Sequence, residues 1–191
     1  GNNNGNNEIY LNNGTALATT PAWTSNNSLS TSSVAWGDVD GDGDLDLAVG
    51  NVGGNNEIYL NNGTGLATTP AWNTSNSHTL TVAWGDVDGD GDLDLVVGGK
   101  NTEIYLNSGT GLATTPVWKI QTNNGATLAW GDVDGDGDLD LALDSLYLDV
   151  YYNHDRQACP NEPTSTGIDT SGWDSSNSLY TFSVAWGDVD G

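Results

Sequence analysis

The sequence predicts an all-β fold, a β-propeller built of four-stranded antiparallel blades, on three observations. First, the stretch Trp36-Gly37-Asp38-Val39-Asp40-Gly41-Asp42-Gly43-Asp44-Leu45-Asp46-Leu47 recurs as Trp84 to Leu95 and as Trp130 to Leu141, and begins again at Trp186. Second, the segments between these copies are short, rich in β-branched and aromatic residues, and bounded by Gly, Asn, Pro and Thr, which are strand signals. Third, no window carries apolar residues at helical spacing for three turns. The intervals from Asp38 to Asp86, from Asp86 to Asp132 and from Asp132 to Asp188 are 48, 46 and 56 residues, and four short strands in about 45 residues is the size of one propeller blade.

Each repeat runs through the same features. Strand A ends in Trp-Gly, as in Ser33-Val34-Ala35-Trp36 and Thr81-Val82-Ala83-Trp84. The Asp-rich loop follows as a long hairpin turn. Strand B is the apolar run after it: Leu45 to Gly50, Leu93 to Gly98 and Leu139 to Leu143. Strand C is Glu57-Ile58-Tyr59-Leu60-Asn61, matched by Glu8 to Asn12, Glu103 to Asn107 and, in degenerate form, Asp149 to Asn153. Strand D follows an Asn-Gly-Thr or Ser-Gly-Thr turn and is marked Pro-x-Trp, at Pro21 to Trp23, Pro70 to Trp72 and Pro116 to Trp118, with Trp173 in the corresponding place of the last repeat.

One propeller is thus expected over residues 1–191, with repeats at about 1–31 (partial), 32–79, 80–125, 126–181 and 182–191 (partial). On this parse the chain is a partial propeller. It enters at strand C of one blade and stops just after strand A of another. It is expected to belong to a longer array, a ring of about four to seven blades.

The eight tryptophans fall two per repeat, on strands A and D. Their expected role is packing between blades, because buried aromatics dominate core energetics. A sugar-stacking platform is the alternative for the strand D set.

The formal charge of -23 is local rather than general. Of the 26 acids, 15 lie in the three complete Asp-rich loops and two, Asp188 and Asp190, in the fourth. The only bases are Lys100, Lys119 and Arg156, too few to neutralise a phosphate backbone, so no nucleic-acid partner is expected. The same scarcity argues against anionic lipid. No apolar run approaches the roughly 18 residues of a spanning helix, so no membrane insertion is expected.

The Asp spacing identifies the loop chemistry. In Asp38-x-Asp40-x-Asp42-Gly43-Asp44-x-Asp46, positions one, three and five offer side-chain oxygens. Gly43 permits a sharp turn, Asp44 can give its carbonyl, and Asp46 closes the cage. The equivalent sets are Asp86, Asp88, Asp90, Asp92, Asp94 and Asp132, Asp134, Asp136, Asp138, Asp140. A helical calcium loop needs Glu at position twelve, and here that position is Val49, Val97 or Leu143. Hard oxygen ligands without His or Cys favour calcium over zinc, copper or iron. Two carboxylates about 4 Å apart repel by roughly 4 kcal/mol at an effective dielectric near 20, so a cation is needed to hold several together.

The Gly-Asp-Val-Asp-Gly-Asp-Gly-Asp-Leu-Asp-Leu-Ala-Val-Gly pattern resembles the FG-GAP/VCBS repeat family, which includes the integrin α-subunit propeller. The resemblance covers nearly the whole chain. It implies calcium in the A–B hairpins, held by the loop aspartates, in secreted or surface proteins used for adhesion or carbohydrate binding or as parts of larger enzymes. Phe-Gly is here Trp-Gly, and the Gly-Ala-Pro element is absent, which points to the microbial VCBS-like branch.

No catalytic activity is expected. His78 reads as a loop residue, and His154-Asp155-Arg156 sits in a non-repeating insertion at about 153–172 that also holds the lone Cys159. No nucleophile motif accompanies them. The insertion suits partner binding or specificity. The sequons at Asn13, Asn26, Asn62 and Asn73 are ordinary for so Asn- and Thr-rich a chain.

The expected function is that of an extracellular or cell-surface, calcium-stabilised binding and adhesion module for carbohydrate or another extracellular protein. The alternative is a self-associating subunit of an extracellular filament or sheath, and a domain of a larger secreted enzyme stands third. Calcium loops of modest affinity fill outside cells more readily than in cytosol.

Overall fold

A computed structural model describes residues 2–74, 78–122, 127–144 and 148–153. Among these residues every regular element is a β-strand. β1 (Asn2–Gly5), β2 (Glu8–Ile9) and β3 (Trp23–Thr24) precede the first complete blade, which is β4 (Leu29–Gly37), β5 (Asp46–Val52), β6 (Asn56–Tyr59) and β7 (Trp72–Thr74). The second blade is β8 (Thr79–Gly85), β9 (Asp94–Gly99), β10 (Asn101–Tyr105) and β11 (Trp118–Gln121). Of the third, β12 (Thr127–Gly131), β13 (Asp140–Asp144) and β14 (Leu148–Tyr151) are described.

In the first two blades the strands pair antiparallel in chain order, A to B to C to D, and in the third the described strands pair A to B to C, as the repeat pattern predicts. The last A–B pair is Gly37 with Asp46, Gly85 with Asp94 and Gly131 with Asp140, so each of the three Asp-rich loops among the described residues closes a hairpin. Trp173, Trp186, His154, Asp155, Arg156 and Cys159 lie outside the described residues.

Two features depart from the sequence-based expectation. β1 pairs with the start of β4, at Asn2 with Thr31 and Gly5 with Leu29, so the chain contributes a strand before its first strand C. Backbone groups on the open edge of β4 need partners, and Asn4 takes a left-handed φ of 54° where the pairing of β1 with β4 shifts register between Asn2 and Gly5. Strand A is also longer than its Val-Ala-Trp core and carries a bulge, between Thr31 and Ser33 in β4 and between Thr79 and Thr81 in β8. At the first bulge the Ser32 hydroxyl lies 2.7 Å from the Thr79 carbonyl of the next blade and 3.1 Å from that of Gly50.

The core lies between blades. Side chains alternate across a strand, so strand B feeds two interfaces. Leu47 and Val49 face β2 and β3 with Tyr59, packed by Ile9, Trp23 and Leu66. Ala48 and Ile58 face the second blade, meeting Val82, Leu95, Val97 and Tyr105. Val96 and Ile104 face the third, meeting Leu128, Leu141, Leu143 and Tyr151. Being buried on both faces, the middle of strand B is a continuous apolar run, Leu47 to Val49, Leu95 to Val97 and Leu141 to Leu143, instead of alternating with polar residues. Each such Val or Leu contributes roughly 1.5–3 kcal/mol by leaving water, so the interfaces hold most of the apolar burial.

The strand D tryptophans cross the same boundaries. Trp23 meets Tyr59, Trp72 meets Tyr105 and Trp118 meets Tyr151 edge to face, with ring centroids 5.1, 5.2 and 5.4 Å apart. The indoles of Trp23 and Trp72 donate to the carbonyls of Ala67 and Ala113 in the next blade, each at 3.1 Å. These contacts match the packing role expected for strand D.

Candidate metal centres

Among the described residues three groups of acids come close enough to share an ion: Asp38, Asp40 and Asp42; Asp86, Asp88 and Asp90; Asp132, Asp134 and Asp136. Within each, the ligand atoms lie within 4.8 Å of one another. Two oxygens bound at about 2.4 Å from one calcium ion stand at most about 4.8 Å apart, so the spacing fits. Each donor set is carboxylate alone, which suits a hard cation. The groups occupy the same place in successive blades and are largely exposed.

Backbone amides build this arrangement from within the loop. Asp38 accepts from the N–H groups of Asp42 and Gly43 at 3.1 and 2.9 Å. Asp86 does the same with Asp90 and Gly91, at 3.1 and 3.0 Å. Asp132 accepts from Gly135, Asp136 and Gly137 at 2.8, 3.1 and 3.1 Å. The position-five aspartate then accepts from the N–H two residues on, from Asp44, Asp92 or Asp138. The curl requires left-handed backbone at two glycines, φ 72° at Gly41 and 93° at Gly43, a conformation in which a Cβ is strained. Only Gly43 was assigned this role from the sequence; Gly41 shares it.

The position-seven and position-nine aspartates make further contacts of their own. Asp44 turns its carboxylate toward the C–D turn, where a Cβ on Gly63 would lie 2.9 Å from Oδ2, and Asp92 stands likewise at 3.0 Å from Gly109. A position-seven side chain so placed is consistent with supplying only its carbonyl. Asp46, Asp94 and Asp140 are fully buried. Asp46 accepts from Val39 N–H at 2.9 Å and from Asn61 N–H at 2.7 Å, one on each oxygen. Asp94 repeats this with Val87 and Asn107 at 2.8 and 2.7 Å, and Asp140 with Val133 and Asn153 at 2.7 and 2.8 Å.

Position nine therefore staples the loop entrance to the end of strand C. Burial raises the pKa of all three carboxyls, that of Asp94 to about 6. The two backbone N–H groups oppose the rise, and the acids at positions three and five add to it. Asp188 and Asp190 lie outside the described residues.

Sequence reasoning missed one partner of these loops. The Asn that closes strand C donates its amide into the preceding blade's loop, Asn107 to Val39 O at 2.7 Å and Asn153 to Val87 O at 2.6 Å. Its recurrence at Asn12, Asn61, Asn107 and Asn153 was the available signal. Of the two histidines His78 is described: it is exposed and bridges Val52 by its backbone.

No curated protein matches the chain. A family model described as FG-GAP-like repeat matches three times, at residues 1–49, 38–97 and 95–143. The second match runs from the first Asp-rich loop through the strand B that follows the second, so the matched unit is the one the structure lays out as consecutive blades. With three matches that together cover residues 1–143, and a blade for each of the three Asp-rich loops among the described residues, the chain belongs to the FG-GAP-like repeat family.

Proposed function

We propose that the chain is a calcium-stabilised propeller module that binds carbohydrate or another protein at an extracellular or cell-surface location. One observation carries the calcium part: three all-aspartate triads, equivalent by position, each compact enough for one ion. Three ions in three hairpins act as clamps rather than reaction centres, and the module is read as non-catalytic. Where calcium is bound, Asp38, Asp40 and Asp42 and their equivalents hold it, and it neutralises charges that otherwise repel within the turn. FG-GAP-like repeats are typical of extracellular and surface proteins, which supports the location. No helix among the described residues is long and apolar enough to cross a membrane.

Calorimetric titration tests the calcium part: about three sites per chain support it, and no heat with calcium and no change in melting temperature on chelation would sink it. A glycan array and a surface-protein binding screen test the ligand part, and silence in both would remove it.

A further inference from the structure

Val39, which lies between the first two candidate ligands, is held on three sides. Its N–H donates to Asp46 of its own blade at 2.9 Å. Its side chain is buried in the cluster that the first and second blades share, with Val82, Leu95, Val97 and Tyr105. Its carbonyl accepts from Asn107 Nδ2 at 2.7 Å, 68 residues further on.

Asn107 is itself buried at the end of strand C of the second blade. Its Oδ1 accepts from the N–H groups of Ser108 and Gly111 at 2.9 and 3.2 Å, which turns its NH2 toward Val39 O at 2.7 Å and, at the longer distance of 3.4 Å, toward Leu93 O of its own blade. The next boundary repeats the arrangement. Val87 donates to Asp94 at 2.8 Å and accepts from Asn153 at 2.6 Å, and its side chain sits among Leu128, Leu141 and Tyr151.

We propose that Asn107 and Asn153 are positioning residues that make the calcium affinity of each Asp-rich loop depend on the docking of the blade that follows it. The proposal rests on the calcium reading above. The Val39 carbonyl lies in the peptide plane that leads to Asp40 and the Val39 N–H in the plane that comes from Asp38, so the Asn107 bond restrains the first and the Asp46 bond the second, and together they hold the backbone between the two carboxylates. A carbonyl buried without a donor is costly, and the loop relaxes toward water if Asn107 cannot reach it. A loop held in its binding geometry spends less free energy on ordering when the ion arrives. Linkage makes the effect reciprocal: calcium in one loop tightens the seam to the following blade. The propeller is then clamped across its blade boundaries as well as within each hairpin.

The geometry predicts a crossed pattern that a same-blade effect does not produce. In a protein keeping only the loop at 38–46 (Asp86, Asp88, Asp132 and Asp134 each changed to Asn), Asn107→Leu lowers calcium affinity about fivefold, the worth of one hydrogen bond. In that background Asn153→Leu changes it by less than about twofold. In a protein keeping only the loop at 86–94 (Asp38, Asp40, Asp132 and Asp134 changed to Asn), the order reverses. Asn61→Leu, whose amide lies 3.3 Å from Leu45 O in its own blade, leaves both loops unchanged.

Nuclear magnetic resonance of Asn107 in the two single-loop proteins supplies a readout that needs no change at the asparagine: its side-chain NH2 signals shift more when the loop at 38–46 is filled than when only the loop at 86–94 is filled. Weakening of the same-blade loop instead, or of neither, or static NH2 signals on filling 38–46, overturns the coupling while the calcium reading stands. Failure of the unsubstituted single-loop proteins to bind calcium overturns both.

Discussion

Trp72 of the first complete blade and Tyr105 of the second meet edge to face, their ring centroids 5.2 Å apart and their planes at 81°. The indole N–H reaches past the tyrosine ring to the Ala113 carbonyl at 3.1 Å, and the Tyr105 hydroxyl lies 2.9 Å from Thr74 Oγ1 of the first blade. Strand D is therefore tied to its neighbour by one aromatic contact and two polar ones. Trp72→Ala is expected to destabilise the protein by about 3 kcal/mol, the low end for a large aromatic because the ring is only half buried. Trp72→Phe, which keeps an edge-to-face contact but loses the N–H donor, should lose less. Urea unfolding checks both. Loss of sugar binding with full stability would instead make Trp72 part of a stacking platform.

What the sequence made legible was local. Asp at alternate positions marks the hairpin loops because the chemistry of one turn is written in consecutive residues. Alternation, turn residues and the repeat period mark the blades for the same reason. Partners far apart in the chain were hidden. Nothing near Asn107 says that its amide will meet Val39, and β1 could not be foreseen because an Asn-rich segment becomes a strand only when the open edge of β4 is beside it. Asp46 was hidden by ambiguity: at position nine of an acidic loop, a ligand and a staple for two backbone N–H groups are the same letter. The staple shows only in the folded chain, where Val39 and Asn61 bring their N–H groups to the two oxygens.

Gly37 is expected to be intolerant of even one methyl. A Cβ there would lie 2.7 Å from Trp84 Cδ1 and 2.9 Å from Leu93 Cδ1. Trp84 cannot simply move away, because its Nε1 donates to the Ala35 carbonyl at 3.3 Å. Gly37→Ala should cost about 1–3 kcal/mol by overpacking. Gly85→Ala should cost less, since its nearest contact, Trp130 Cδ1, is at 3.0 Å. Paired urea denaturation curves give the order, and equal stabilities for both variants and the parent would contradict it.

Alkali should unfold the protein before its inner phenols ionise freely. Burial raises the pKa of Tyr59 and Tyr105 well above the ordinary value, and the carboxylates of Glu57 and Glu103, which accept from those hydroxyls at 2.9 and 2.6 Å, push in the same direction. Burial, then Asp149, raises Tyr151 to about 12. A phenol whose pKa is higher folded than unfolded contributes stability that is complete below about pH 10 and is lost as pH climbs through the folded value. Ultraviolet titration should show these three tyrosines ionising late and together with unfolding. In Glu103→Gln, Tyr105 should ionise at lower pH, though still above the ordinary value because burial is the larger cause.

Asp90 and Asp94 stand four residues apart in one loop and should behave as different kinds of residue. Asp90 belongs to the exposed triad with Asp86 and Asp88. Asp94 is fully buried, with the N–H groups of Val87 and Asn107 on its two oxygens at 2.8 and 2.7 Å. Asp94→Ala leaves two buried donors without a partner, at about 1–3 kcal/mol each, and separates the loop entrance from strand C. Its melting temperature should fall in chelator as well as in calcium. Asp90→Ala removes a charge from a crowded turn, so in chelator it should melt no lower than the parent, and only the rise on adding calcium should shrink. The four melting curves separate the two roles. Were Asp94→Ala to melt like the parent in chelator and lose only the calcium-dependent rise, Asp94 would be a ligand of the ion and not a staple of the fold.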